Sequence, residues 1–155
     1  MEKDAARILV TGCPMAIPNW KLHSIVETLG AAIVIEESCI GTRGFSDLVQ
    51  PKGDSMDDLL KALVERYSKI TCACFTPNTE RLDTVIRLAK DYAVDGVIYY
   101  TLQNCTTYNL EAIKIEKALK KHQFPMLKIE DDYGIANAQI KTRVEAFQEM
   151  VQARK

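Results

Sequence analysis

Net charge is the first thing this sequence lacks. Its 155 residues set 20 Lys and Arg against 21 Asp and Glu, leaving −1. No basic field is available to hold a polyanion, which argues against a nucleic-acid binder or a protein held on anionic membranes. Long apolar runs are missing too. The longest are short, such as Ala31 to Ile35, against the ~20 residues of a membrane span, so no membrane is expected. The opening Met-Glu-Lys-Asp-Ala-Ala-Arg has no apolar signal core, and a cytoplasmic location is expected. Repeats, low-complexity tracts and linkers are absent, so one domain, 1–155, is expected to account for the chain. What is present is 47% apolar and 26% charged residues, a globular rather than a disordered composition. A chain of this length buries roughly 68–70% of its unfolded surface, enough for a core without staples.

Short apolar runs alternate with amphipathic stretches. Arg7 to Gly12 reads as a buried strand, Ala31 to Glu36 as a second, Val97 to Leu102 as a third and Met126 to Glu130 as a fourth. Between them, Pro18 or Asn19 can open a helix through Leu22, Ile25, Val26 and Leu29, which Gly30 stops. Phe45 to Gln50 looks helical. Ser55 caps a helix from Met56 to about Ser68, with Leu59, Leu60, Leu63, Val64 and Tyr67 as its stripe. Asn78 or Thr79 opens another to about Tyr92, with Leu82, Val85, Ile86 and Ala89 inward. Asn109 caps a helix through Ile113, Ile115, Ala118 and Leu119. The last runs from about Asn137 to Gln152 on Ile140, Val144, Phe147 and Val151. Such alternation predicts an α/β fold: a doubly wound, four-stranded parallel sheet, flavodoxin- or Rossmann-like, of order 2-1-3-4, with helices on both faces.

Five cysteines are many for such a chain, and the count is odd. In a cytosolic setting a disulfide framework is not expected, which leaves metal binding or plain buried thiols. Ligands of open α/β sheets sit beyond the carboxyl ends of the strands. Cys13 follows strand one directly, Cys39 lies just past strand two and Cys105 just past strand three. Cys72 and Cys74 precede a helix, and their side of the sheet is open. Cysteines serving only as small core hydrophobes belong inside strands or on helix stripes, and none is expected there. Thiolates select zinc or iron–sulfur clusters. One Cys72-x-Cys74 pair with three dispersed cysteines is a poor zinc ribbon, and it is not the compact run of a bacterial ferredoxin. Dispersed ligands on several loops fit a cluster at a domain rim.

Other chemistry is thin. Gly12-Cys13-Pro14-Met15-Ala16 lacks the second and third glycines of a dinucleotide fingerprint. His23 and His122 read as solvated helix-surface residues. Arg43, in Gly41-Thr42-Arg43, can grip a phosphate or carboxylate in a fork, or stand as an exposed loop arginine. Glu36 and Glu37, and Glu130, Asp131 and Asp132, read as solvated strand ends with no catalytic role.

A set of strings resembles one family, the 2-hydroxyacyl-CoA dehydratases and benzoyl-CoA reductases with their double-cubane relatives. The strings are Glu37-Ser38-Cys39-Ile40-Gly41-Thr42-Arg43, then Cys72-Ala73-Cys74 with Pro77-Asn78 and Arg81, then Val94-Asp95-Gly96-Val97-Ile98-Tyr99. Gln103-Asn104-Cys105-Thr106-Thr107-Tyr108-Asn109, Phe124 to Tyr133 and Gln139 to Phe147 continue them, in the family's order over nearly the whole chain. The resemblance implies subunits of two α/β domains around an oxygen-sensitive 4Fe–4S cluster, or a double cubane, held by cysteines. It implies an ATP-hydrolysing activator that donates one electron at low potential, and reduction of a CoA thioester whose ketyl radical expels hydroxide, or reduction of an aromatic ring. The chain looks like the C-terminal half of such a subunit, which implies a partner in the form of an N-terminal half or second subunit. Matched to the family's strings, Cys105 is the first metal-ligand candidate, with Cys74 and Cys39 next. Cys72 ranks behind them and Cys13 is left out. Arg43 is a candidate substrate-binding residue.

The alternative is a flavodoxin-like binding or assembly module without a cluster. Cys13, Pro14, Met15, Ile17, Trp20 and Phe45 lie near the strand-end rim, outside any helix stripe. Such residues are expected to be covered by something, a partner or a second copy in a homo-oligomer.

Overall fold

The computed structural model describes residues 4–134 and 138–154. Strands β1 (Arg7–Gly12), β2 (Ala32–Glu37), β3 (Gly96–Leu102) and β4 (Met126–Asp131) form an all-parallel sheet of order β2-β1-β3-β4, the order expected from the alternation. The central β1 and β3 are buried almost throughout, and their sequences are accordingly continuous apolar runs. Five helices connect and cover them: α1 (Lys21–Thr28), α2 (Met56–Tyr67), α3 (Thr79–Asp91), α4 (Thr106–Lys121) and α5 (Ala138–Gln152). Helix α1 packs beside α5 and α3 beside α4. The chain leaves β1 toward β2, then returns past β1 to β3. That reversal puts a crevice at the carboxyl ends of β1 and β3.

Gly12 ends β1 there at φ +126°, where a Cβ would stand 1.9 Å from the Tyr100 carbonyl oxygen. The glycine lets β1 stay tight against β3 and sends Cys13 N–H onto that same carbonyl at 2.8 Å. Gly41 does similar work after β2, where a Cβ would meet the Glu36 carbonyl oxygen at 2.3 Å.

Several local expectations are corrected. Phe45 to Gln50 is not helical; a short 3-10 turn occupies Thr42–Gly44 instead. The carbonyls of Gly44 and Asp47 are taken by the Arg66 guanidinium, at 2.8 and 3.0 Å, rather than by a helical ladder. Ser55 does cap α2, accepting from Asp58 N–H at 3.1 Å, but the α2 stripe does not reach the core. Only Ala62 and Arg66 are buried, and Leu59, Leu60, Leu63, Val64 and Tyr67 face outward. Helix α4 begins at Thr106 with Cys105 as its N-cap, so Asn109 lies inside its first turns. Its buried side carries Tyr108, Glu111, Ala112, Ile115 and Leu119, while Ile113 is exposed. The α5 stripe is buried as expected; Asn137, its expected start, lies outside the described residues. No described helix is long and apolar enough to cross a membrane.

Candidate functional site

Parallel strands deliver their loops to one edge. Cys13 follows β1, Cys39 follows β2 and Cys105 follows β3. The Cys72–Cys74 loop joins them through Asn78. Its Nδ2 donates to the Cys72 carbonyl at 2.9 Å and to Glu111 Oε1, on α4, at 2.7 Å. All five cysteines are free thiols, and they divide into two kinds. Cys39 and Cys74 are exposed and Cys72 and Cys105 partly so. Cys13 is 3% exposed and belongs to the hydrophobic core, against the expectation that no cysteine would.

Electrostatics follow this division. Burial pushes the Cys13 thiol up to about 11, with the neighbouring Cys105 adding to the rise. At Cys105, burial works upward but is outweighed by hydrogen bonds from the Tyr108 backbone, Thr107 and Cys13, so the thiol falls below its usual value. An N-cap position favours the thiolate in the same way. The Cys74 thiol is raised, first by its hydrogen bond with Cys72, then by charge on Cys72, Cys105 and Cys39. Cys72, Cys105 and Cys39 thus all bear on Cys74. Among the described residues no three His, Cys, Asp or Glu side chains converge closely enough to hold one metal ion.

Beneath the rim lies a charge network the sequence reading missed. Arg43 is buried, not an exposed loop residue. Its Nε and Nη2 donate to Glu37 Oε1 and Oε2 at 2.8 and 3.0 Å, a bidentate pair. Its Nη1 donates to Tyr108 Oη at 3.1 Å and stands 3.4 Å from Cys39 Sγ. Arg81, wholly buried, lies 3.3 Å from Glu37 Oε2 and 2.9 Å from Glu111 Oε2, with its guanidinium 5.1 Å over the Tyr108 ring. Thr11 Oγ1 donates to Glu37 at 2.6 Å, and the Tyr99 hydroxyl sits 3.2 Å from Glu111. Two positive and two negative side chains thus neutralise one another. Burial raises the Tyr99 phenol, and raises that of Tyr108 to about 12, keeping both protonated. Glu37 is no solvated strand end.

A signal for this network was present. Arg81 is four residues before Val85 and Glu111 four before Ile115, each in line with an inward stripe. A charge in such a line implies a buried partner. Asp131 is likewise no solvated strand end: it pairs with Lys21 at 2.7 Å and accepts from the Tyr100 hydroxyl at 3.3 Å. His23 is half-buried against Glu36 at 2.9 Å, whereas His122 is exposed. Near the rim, Met15 is core, and Ile17, Trp20 and Phe45 are exposed. A hollow of about 850 Å³ between the 3-10 turn and α3 reaches Glu37 and Arg43 from the side, but no cysteine lines it.

A sequence model of the 2-hydroxyglutaryl-CoA dehydratase D-component matches residues 1–151. The chain belongs to that family. Its relatives include a protein of Escherichia coli (strain K12) assigned as a dehydratase subunit, YjiM, at 37% identity over 147 residues. The (R)-phenyllactyl-CoA dehydratase beta subunit of Clostridium sporogenes is 24% identical over 148 residues. The (R)-2-hydroxyglutaryl-CoA dehydratase subunit beta of Acidaminococcus fermentans is 26% identical over 153 residues. Each alignment covers 94% of this chain but only 37–39% of the relative. The chain thus spans under two-fifths of the length of these family members, and the resemblance expected from the Cys39, Cys74 and Cys105 strings is a family membership.

Proposed function

We propose that this chain is the cluster-bearing unit of a 2-hydroxyacyl-CoA dehydratase or benzoyl-CoA reductase type system, with Cys39, Cys74 and Cys105 as ligands of a 4Fe–4S group and Cys72 beside them. The observation that carries the reading is four thiols, exposed or partly exposed, on the loops of one sheet rim in a chain of this family. Thiolates dispersed over several loops, in a chain of this family, support a multi-iron group. Such a group, when bound, supplies one electron at low potential to a CoA thioester. The chain's own part is to hold and orient the thiols. The α4 N-terminus and the Tyr108 N–H stabilise the Cys105 thiolate, and Arg43, its fork spent on Glu37, orients Cys39. We assign Arg43 to that task.

The reading calls for three partners: a second domain or subunit that completes the cleft, an ATP-hydrolysing activator as electron donor, and an acyl-CoA. Anaerobic reconstitution of the reduced chain with iron and sulfide tests it. The expected product is brown, absorbs in the thiolate-to-iron region and holds about four iron atoms per chain, with loss of iron in Cys105→Ser. A fully reduced, anaerobic chain that takes up no iron overturns it. The second reading, an assembly module without a cluster, is favoured by the outward apolar stripe of α2 and by exposed Trp20 and Phe45. Solution mass of the parent and of the Trp20→Ala, Phe45→Ala double variant tests the Trp20–Phe45 surface; two monomers that bind no partner dismiss self-association or docking there.

A further inference from the structure

We infer that Asn78 and Glu111 are positioning residues that set the spacing of the thiol loops, an inference that rests on the cluster reading above for its purpose but not for its test. Three loops carry the accessible thiols, and each is fastened to helix α4. The Cys105 loop is the N-cap of α4. The Cys39 loop is tied to it by Arg43, which reaches both Cys39 Sγ and Tyr108 Oη. The Cys72–Cys74 loop is tied to it by Asn78, through the Cys72 carbonyl on one side and Glu111 Oε1 on the other.

Asn78 stands where a helix N-cap stands, yet its side chain makes no cap bond. Asparagine at that position ordinarily turns its side chain onto the first free N–H groups of the helix. Here the side chain instead sends its Nδ2 across the crevice to Glu111, which is the sign of a tertiary task. Glu111 is 8% exposed and keeps its other oxygen on Arg81. It is therefore fixed at one end by a buried ion pair and presents the free end to Asn78. A rigid helix, a locked carboxylate and one amide make a strut from the protein interior to the Cys72 carbonyl.

The strut separates two distances that would otherwise change together. Releasing Asn78 removes the tie between the Cys72 carbonyl and Glu111 and leaves Cys39 held by Arg43. Cross-linking of the metal-free chain with the short bifunctional thiol reagent dibromobimane reads both, with products counted by mass spectrometry. The parent is expected to give Cys74–Cys105 and Cys39–Cys105 products. In Asn78→Ala the first is expected to fall about fivefold relative to the second, the population change that corresponds to about 1 kcal/mol, one net hydrogen bond. Asn78→Asp, the same size but unable to donate, is expected to behave like Asn78→Ala. Glu111→Gln keeps an acceptor and is expected to lose less.

A role in packing alone would lower both products together or spare Asn78→Asp, and either result overturns the inference. So does a parent that forms no Cys74–Cys105 product, or an Asn78→Ala that keeps the parent ratio. Iron and sulfide loading of the parent is run beside it. A parent that cross-links as expected but takes up no iron overturns the cluster reading and leaves the strut standing.

Discussion

Replacing Arg81 by methionine is the sharpest test of the buried network, because it keeps length and apolar bulk while removing one charge. Arg81 is wholly buried and faces two carboxylates. Their fates differ. Glu37 keeps the Arg43 fork and the Thr11 hydroxyl, so its charge remains answered. Glu111 keeps only neutral partners, the Asn78 amide and the Tyr99 hydroxyl. The loss is therefore that of one partner from one buried pair, about 3–5 kcal/mol, which for a domain of this size lowers the melting temperature by roughly 6–20 °C. Adding Glu111→Gln to Arg81→Met removes the stranded charge and should return most of that loss, since exchanging a whole buried pair for neutral groups is often nearly free. Thermal melts followed by circular dichroism measure both variants. A single variant that melts within a degree or two of the parent, or a double variant no better than the single, refutes the claim that Arg81 neutralises Glu111.

Three further outcomes are expected. The His23 hydrogen bond holds the Glu36 carboxyl below its usual range, with Ser38 assisting against the cost of burial. A lowered folded value adds stability above the unfolded carboxylate range that is lost as pH falls through it; denaturant melts taken downward in pH should show the gap between parent and Glu36→Gln closing on that acid limb, and a gap that widens there contradicts the pairing. Gly12→Ala should destabilise by at least about 3 kcal/mol through positive φ and the clash with the Tyr100 carbonyl; a variant that melts like the parent refutes the close approach of β1 to β3. Alkylation with iodoacetamide should label Cys39 and Cys74 in the folded chain and reach Cys13 only after unfolding, because Cys13 is core; equal labelling of all five at early times would place Cys13 at the surface.

Much of the fold was legible because the sheet's central strands are buried on both sides and so carry unmixed apolar runs, Ile8 to Val10 and Val97 to Tyr100. Strand ends then located Cys13, Cys39 and Cys105 on one edge without further information. The buried charges were not legible in that way. Glu37 and Asp131 end strands, where acids are ordinarily solvated, and only three-dimensional neighbours such as Arg43 and Lys21 distinguish them. The side of the Cys72–Cys74 loop was hidden for a similar reason: it is decided by Asn78 reaching Glu111, 33 residues away. Helix α2 misled because its leucines have the spacing of a core stripe, and spacing states which side is apolar, not what covers it.

That outward stripe has a consequence for how the chain breathes. Helix α2 is fastened to the rest at few places, among them Arg66 on the Gly44 and Asp47 carbonyls and the buried Ala62. Little apolar area holds it down, so opening it exposes little and costs far less than opening the sheet. In hydrogen–deuterium exchange, amides of residues 56–67 would trade as one early group, with shallow denaturant dependence, while those of β1 and β3 wait for global unfolding. A partner seated on Leu60 and Val64 would merge the two groups, turning a chain with two exchange regimes into one that opens all at once.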